Sequence, residues 1–210
     1  MQTITDDMEA LKFVRIKVLL LFLAIGLAAC GGKSSVKERA SFTKIDSLTE
    51  NYLTLQDSVL QTWNTIMMDE NKKINSMHEL LHVLFASHRH DKAQLILLEQ
   101  RLDQLERIRF NQKTMANPHV VDEYDFASSS LIFEIISLAE SDSLFGENKE
   151  LQHWVDNIKI ADQRVTIYRS DYDSVTNKFN LFLEKYKDYL TNLDRDLSQE
   201  KKPLFQMAEN

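Results

Sequence analysis

The chain carries His78-Glu79-Leu80-Leu81-His82, with a further histidine at His88. Two histidines four residues apart stand on one face of a helix and can share a tetrahedral zinc ion, and a glutamate beside the first is the general base of zinc peptidases. Leu80 and Leu81 keep the intervening positions uncharged, as that motif prefers. His88 stands at the sequence distance at which one class of these enzymes places its third ligand. That class has a glycine after the second histidine, which breaks the helix and turns the chain back. Here Phe85 takes that place, inside a good helical stretch. On a continuous helix His88 lies roughly 80° around the axis and ~15 Å along it from His78. Zinc ligands sit within ~2 Å of one ion, so His88 does not join the pair. A glutamate of the next helix, Glu99 or Glu106, is the other route to a third ligand, and nothing in the sequence selects either.

A plainer reading accounts for the same residues. His78 and His82 flank the apolar stripe Ile74–Met77–Leu81–Leu84, and Glu79 faces away from it toward solvent. The expectation is therefore no metal, no cofactor and no catalytic residue. A membrane-tethered zinc metallopeptidase using His78, His82 and Glu79 stands as the alternative. No glycine-rich phosphate loop and no nucleophile elbow are present, and acidic pairs such as Asp122/Glu123 and Asp171/Asp173 read as solvated faces. The formal net charge of −7, from 25 basic and 32 acidic residues, argues against a nucleic-acid partner, which wants a basic face.

The N-terminus says where the protein works. Lys12, Arg15 and Lys17 precede an apolar run from Val18 to Gly26, which Leu27-Ala28-Ala29-Cys30 closes. The run is shorter than the ~20 apolar residues of a spanning helix and has the length of a signal-peptide core. The closing four residues resemble a bacterial lipobox, so Cys30 is expected to be lipidated and to become the first residue after cleavage. It is the one cysteine in the chain, so no internal disulfide forms. Asp6, Asp7 and Glu9 sit where positive charge is wanted, which makes Met8 an alternative start. The expected organisation is a signal peptide over 1–29, lipidated cysteine and flexible tether over 30–40, a helical domain over 41–193 and a polar tail over 194–210. Several acyl chains on one cysteine anchor stably where a single chain does not.

The elements that must position any site are helices. The whole chain has 4 glycines and 2 prolines, and three of those glycines, Gly26, Gly31 and Gly32, fall in the signal and tether. A β-rich fold spends Gly and Pro on tight turns, and this body has only Gly146, Pro118 and Pro203 to spend. From Phe42 the apolar residues step by three or four through Ile45, Leu48, Tyr52, Leu55, Val59, Trp63 and Ile66, pause over the polar residues 69–73, and resume at Ile74. This spacing predicts a first helix over 41–86. The second is expected over 91–113, and the third from Pro118 to Glu140. The fourth, over 149–193, carries an aromatic stripe of Trp154, Tyr168, Tyr172 and Phe179 that reads as core. Residues 141–148 read as a turn with Gly146 able to take positive φ, and the tail beyond Asp194 as frayed or loosely helical. Amphipathic helices joined by short loops bury one another, so the fold class is all-α, an antiparallel bundle of about four long helices.

The last helix carries a second pattern. Ala161–Tyr186 resembles the LemA family of bacterial membrane-associated helical proteins. Arg169, Tyr172, Val175 and Asn180 match outright, Asp162-Gln163-Arg164-Val165 matches conservatively, Asp173 stands for an asparagine and Phe179 for a tyrosine. Val59–Leu81 is similar to another family segment at Trp63, Lys72, Lys73 and Leu80, and Leu144 stands in a similar linker that here lacks its proline. After Asn180 the family has Phe-Pro and later Gly-Phe, which are absent here. The resemblance implies a long-helix bundle at the extracytoplasmic face with no established enzymatic activity and no catalytic residues to carry over. Arg169, Tyr172 and Asn180, with Trp63, are then expected to be structural or interaction residues, the polar groups bonding across helices to fix register.

The expected function is a lipid-anchored, non-enzymatic helical scaffold or protein-interaction module. Its expected partners are the membrane through Cys30, an envelope protein, and a second copy through helix packing. Gly31 after the cysteine carries no acidic retention mark, which points to the outer membrane, facing the periplasm of a Gram-negative cell. A module holding a small or lipidic ligand between helices is a third option.

Overall fold

The stripe that begins at Leu48 meets no breaker before Leu84, and a single helix carries it: α1, Lys44–Ser87, 44 residues and about 66 Å long. The computed structural model describes residues 44–193 and 199–205. The signal peptide, Cys30 and the tether lie outside the described residues. After α1 come α2 (Lys92–Arg107), a single 3-10 turn (Thr114–Ala116), α3 (Pro118–Glu140), α4 (Lys149–Lys185) and the short α5 (Lys187–Leu193). The described residues hold helices, turns and irregular segments and no strand. The protein is an all-α bundle.

Side-chain pairs give the helix directions. Tyr52 meets Phe179, Trp63 meets Tyr172, and Asp69 meets Arg164, so α1 and α4 run antiparallel along a long seam. Asn71 pairs with Arg109 and His78 with Glu99, which sets α2 antiparallel to α1. Asp125 pairs with Arg169 and Glu140 with Lys159, which sets α3 antiparallel to α4. The α2–α3 hairpin thus packs on the part of α1 beyond about residue 70. The bundle has four helices there, and the α2–α3 connection lies where the earlier part of the α1–α4 seam begins. Met77, Leu80, Leu84, Leu102, Ile135 and Ile158, all fully buried, fill the four-helix part.

Polar caps start the helices. The Asp91 carboxylate accepts from the Ala93 N–H at the head of α2, and Asn148 accepts from Glu150 and Leu151 at the head of α4. Asn117 caps α3, and Pro118 opens it where its missing N–H costs nothing. Four features differ from the sequence expectation. Helix α2 ends at Arg107 rather than 113, because the Asn111 side chain takes the N–H groups of Lys113 and Thr114 and turns the chain. That turn drives Phe110 into the core, where it is 2% exposed. Gly146 does not use positive φ. The left-handed residue among those described is His88, at φ 54°, which ends α1. The fourth helix is interrupted at Tyr186, and the chain resumes as α5 with Leu190 fully buried. In the aromatic stripe Tyr172 and Phe179 are core, whereas Trp154 and Tyr168 pack on its flank.

Within the polar gap over 69–73, Asp69, Glu70 and Lys73 face inward as an ionic layer, while Asn71 and Lys72 are exposed. Glu70 is 2% and Lys73 3% exposed. Tyr124 of α3 donates to Glu70 Oε2 at 2.7 Å, and Lys73 Nζ donates to Oε1 at 3.0 Å. A satisfied buried carboxylate of this kind fixes one register of α1 against α3, since a slip would strand its charge. At the far end, the buried Asp142 carboxylate ties the two terminal turns together. It accepts from the Leu144 N–H at 2.8 Å, from His90 at 3.0 Å and from Arg89 at 2.7 Å, and these bonds hold it below the usual carboxylate range.

Burial, then the neighbouring Glu70 carboxylate, pushes the Tyr124 phenol far above its ordinary value. The unfolded phenol ionises near ~10, so this stability is full below that pH and is lost as pH rises above it. Tyr124→Phe removes a bond to a buried charge and is expected to cost about 2 kcal/mol at neutral pH. The variant should also lose less of its remaining stability than wild type between about pH 10 and 12, as read from urea midpoints.

Candidate functional site

The histidine motif lies on an unbroken helix. Helix α1 continues past Phe85 to Ser87, so His88 falls in the turn beyond it, exposed and separated along the axis from His78. Glu79 is exposed on the side of α1 away from the core, and His82 is exposed as well. His78 is part-buried and faces α2. Its Nδ1 is 2.8 Å from Glu99 Oε1, and its Nε2 is 3.6 Å from Glu106 Oε1. A carboxylate only accepts, so Nδ1 carries the proton toward Glu99. Both glutamates weighed in the sequence therefore meet this histidine.

Ligand atoms of His78, Glu99 and Asp103 lie within 4.8 Å of one another, and these three residues could hold a divalent cation. His82 is not part of that group. It lines the adjoining apolar groove of about 210 Å³ with Phe85, Leu95 and Ile96. One imidazole with two carboxylates at the surface suits a borderline or hard cation, but it lacks the paired histidines of the peptidase site. The glutamate meant as general base faces the other way. The arrangement does not assemble the parts that zinc-assisted peptide hydrolysis requires.

A denser constellation stands where the α2–α3 connection meets the α1–α4 seam. Trp63 of α1, Phe110 and Tyr172 of α4 form three walls. The Trp63 ring is 5.7 Å from Tyr172 and 6.2 Å from Phe110. Phe205, from the segment beyond α5, fills the space between them. It stacks on Trp63 at 6.3 Å with planes 15° apart, and meets Tyr172 at 5.5 Å and Phe110 at 5.6 Å edge-on. The Arg169 guanidinium closes the cradle, 4.8 Å from the Phe205 ring centre and 5.4 Å from that of Phe110. Two parallel bonds to Asp125, at 2.6 and 2.7 Å, aim it. Burial works against its charge, but the Asp125 carboxylate outweighs burial and raises its pKa above the ordinary value.

Side chains of α4 bind the backbone of the same segment. Asn180 Nδ2 donates to the Lys202 carbonyl and Asn180 Oδ1 accepts the Lys202 N–H, both at 2.8 Å. The Asp173 carboxylate accepts the Phe205 N–H at 2.8 Å. Lys201 reaches Glu184 at 3.0 Å on the surface. Over residues 199–205 the tail is thus a docked, irregular segment with no helix, where the expectation is a frayed or loosely helical tail. Burial pushes the Tyr172 phenol up, and the Gln112 amide donates to it at 3.4 Å.

Trp63, Arg169, Tyr172 and Asn180, singled out in the sequence, all touch residues 202–205. Arg169 also bonds across helices to α3, whereas Asn180 holds the tail backbone rather than a neighbouring helix. Sequence reasoning missed Phe110, Asp125 and Phe205. The apolar pair Leu204-Phe205 after Pro203, set in a polar tail, was the available signal for the last. No helix among the described residues is long and apolar enough to cross a membrane. Fold and site together define a helical bundle that clasps an extended segment of chain. No known protein-family model, curated protein or solved structure matches this chain.

Protein purified without a histidine tag is expected to carry zinc at background by elemental analysis, unchanged in His82→Ala. Near-stoichiometric zinc that disappears in His82→Ala as well as in His78→Ala would restore the peptidase reading.

Proposed function

We propose that this chain is a LemA-like lipoprotein of the cell envelope whose bundle holds polypeptide rather than transforming a substrate. One observation carries the reading: an extended segment lies on the bundle with its backbone gripped by Asn180 and Asp173 and its aromatic side chain in a cradle of Trp63, Phe110 and Tyr172. Side chains that bind backbone amides are the means by which proteins hold peptides with limited regard to sequence. Around that site the core is rigidly specified by the Glu70 layer, as a scaffold for a binding surface requires.

The lipobox at Leu27–Cys30 supplies the anchor in this proposal, and the tether places the bundle just off the membrane, at the outer membrane facing the periplasm. An envelope protein is the partner. The zinc metallopeptidase is disfavoured because Glu79 and His82 stand apart from the His78–Glu99–Asp103 group.

Expressed as the full chain in a Gram-negative host and fed labelled palmitate, the protein should take up label and enter the detergent phase on Triton X-114 partition. Cys30→Ser should abolish both. An unlabelled protein recovered in the aqueous phase, cleaved elsewhere than before Cys30, would contradict the anchor.

A further inference from the structure

Among the contacts to residues 199–205, those to the backbone and those to the aromatic side chain differ in functional meaning. Within this segment Asn180 and Asp173 bond the backbone of Lys202 and Phe205, and such bonds accept any chain that presents an N–H and a carbonyl in the same extended register. The aromatic cradle, by contrast, selects one side chain. The segment is also only part-buried, although Phe205 packs against the core. Residues 202–205 are each half-buried, while the walls they cover are buried: Tyr172 at 0%, Phe110 at 2% and Trp63 at 9% exposure.

The segment does not fill its groove. Beside Lys202 is a cavity of about 300 Å³ lined by Val59, Leu60, Gln112 and Phe179. A side chain larger or better placed than any the tail supplies would fit there. Pro203 fixes its own φ and restricts Lys202 to extended backbone, so the segment arrives already shaped for the groove. Its basic residue meets an acidic one, Lys201 against Glu184.

We infer that this groove is a peptide-binding site, held shut by the chain's own tail. Its true occupant is an extended segment of a partner protein with the chemistry basic–x–Pro–aliphatic–aromatic. The inference rests on the reading of the bundle as a polypeptide-holding module and names the ligand class of that site. The tail acts as an internal competitor. Tethered close by, it presents itself at an effective concentration on the order of millimolar, so a partner must displace it or engage the flanking cavity as well.

The test uses the full chain in detergent and an amidated, fluorophore-labelled copy of residues 199–205, followed by anisotropy. Wild type should bind the peptide weakly. Phe205→Ala loosens the internal tail and should bind it about tenfold tighter, and adding Asn180→Ala to that variant should take the gain away. Equal affinity in wild type and Phe205→Ala, or binding indifferent to Asn180→Ala, would overturn the inference. Should Phe205→Ala lose its helical circular dichroism, a protease site placed between Leu193 and Gln199 allows the tail to be cut after folding. The severed tail should then exchange with labelled peptide, and a tail that cannot be displaced overturns the inference. A wild-type mass that is dimeric by light scattering and halves in Phe205→Ala would give the groove to a second copy, overturning the partner assignment. The palmitate test does not involve the groove, so a lipidated protein that ignores the peptide sinks this inference and leaves the anchor standing.

Discussion

The Arg169 guanidinium is where the separate parts of this protein converge. It projects from α4, is pinned by two bonds to Asp125 of α3, and lies over both Phe110 of the α2–α3 connection and Phe205 of the tail. Its side chain is only 16% exposed. A cation so far out of water is tolerable because Asp125 neutralises it and two aromatic faces replace part of its hydration. The consequence is structural selection. The chain keeps this charge buried only in an arrangement that brings α3, the connection and the tail to α4 together. Lysine would keep the charge but lose the paired bonds to Asp125.

A second polar constraint works one layer away. Glu70, held by Tyr124 and Lys73, fixes α1 against α3 from within. Phe110 stands between the two layers, edge-on to Tyr124 at 5.2 Å on one side and beneath Arg169 on the other. Register in the ionic layer therefore determines whether the aromatic cradle forms. The apolar stripes bring the helices together, as in any bundle, and the buried charges decide which faces meet.

This division explains what the sequence made legible. The long helices followed from apolar spacing and from the scarcity of glycine and proline, and Pro118 marked the head of α3. The residues 69–73 read as a gap because charge in a stripe looks like solvent exposure, and only the placement of Tyr124 shows that Glu70 faces inward. The end of α2 was misplaced because one asparagine, Asn111, competes for the backbone without changing the local propensity much. Among the site residues, Trp63, Arg169, Tyr172 and Asn180 were picked out by resemblance, but what they gather around was not. Phe205 lies 142 positions from Trp63 in number, and no periodicity links a short tail to a distant helix. His78 and His82 show how little spacing alone decides. Their spacing is that of a metal site, yet the neighbours that would complete one are set by α2, which turns Glu99 and Asp103 to His78 and leaves His82 aside.

The central claim is that α4 grips the tail by its backbone, and amide hydrogen exchange reads that directly. In the folded full chain the N–H groups of Lys202 and Phe205, which donate to Asn180 and Asp173, should be protected well beyond the rate of an unstructured chain, and Asn180→Ala should release Lys202. Exchange of both amides at the unstructured rate in wild type would contradict the account, leaving a bundle whose aromatic walls serve only its own core.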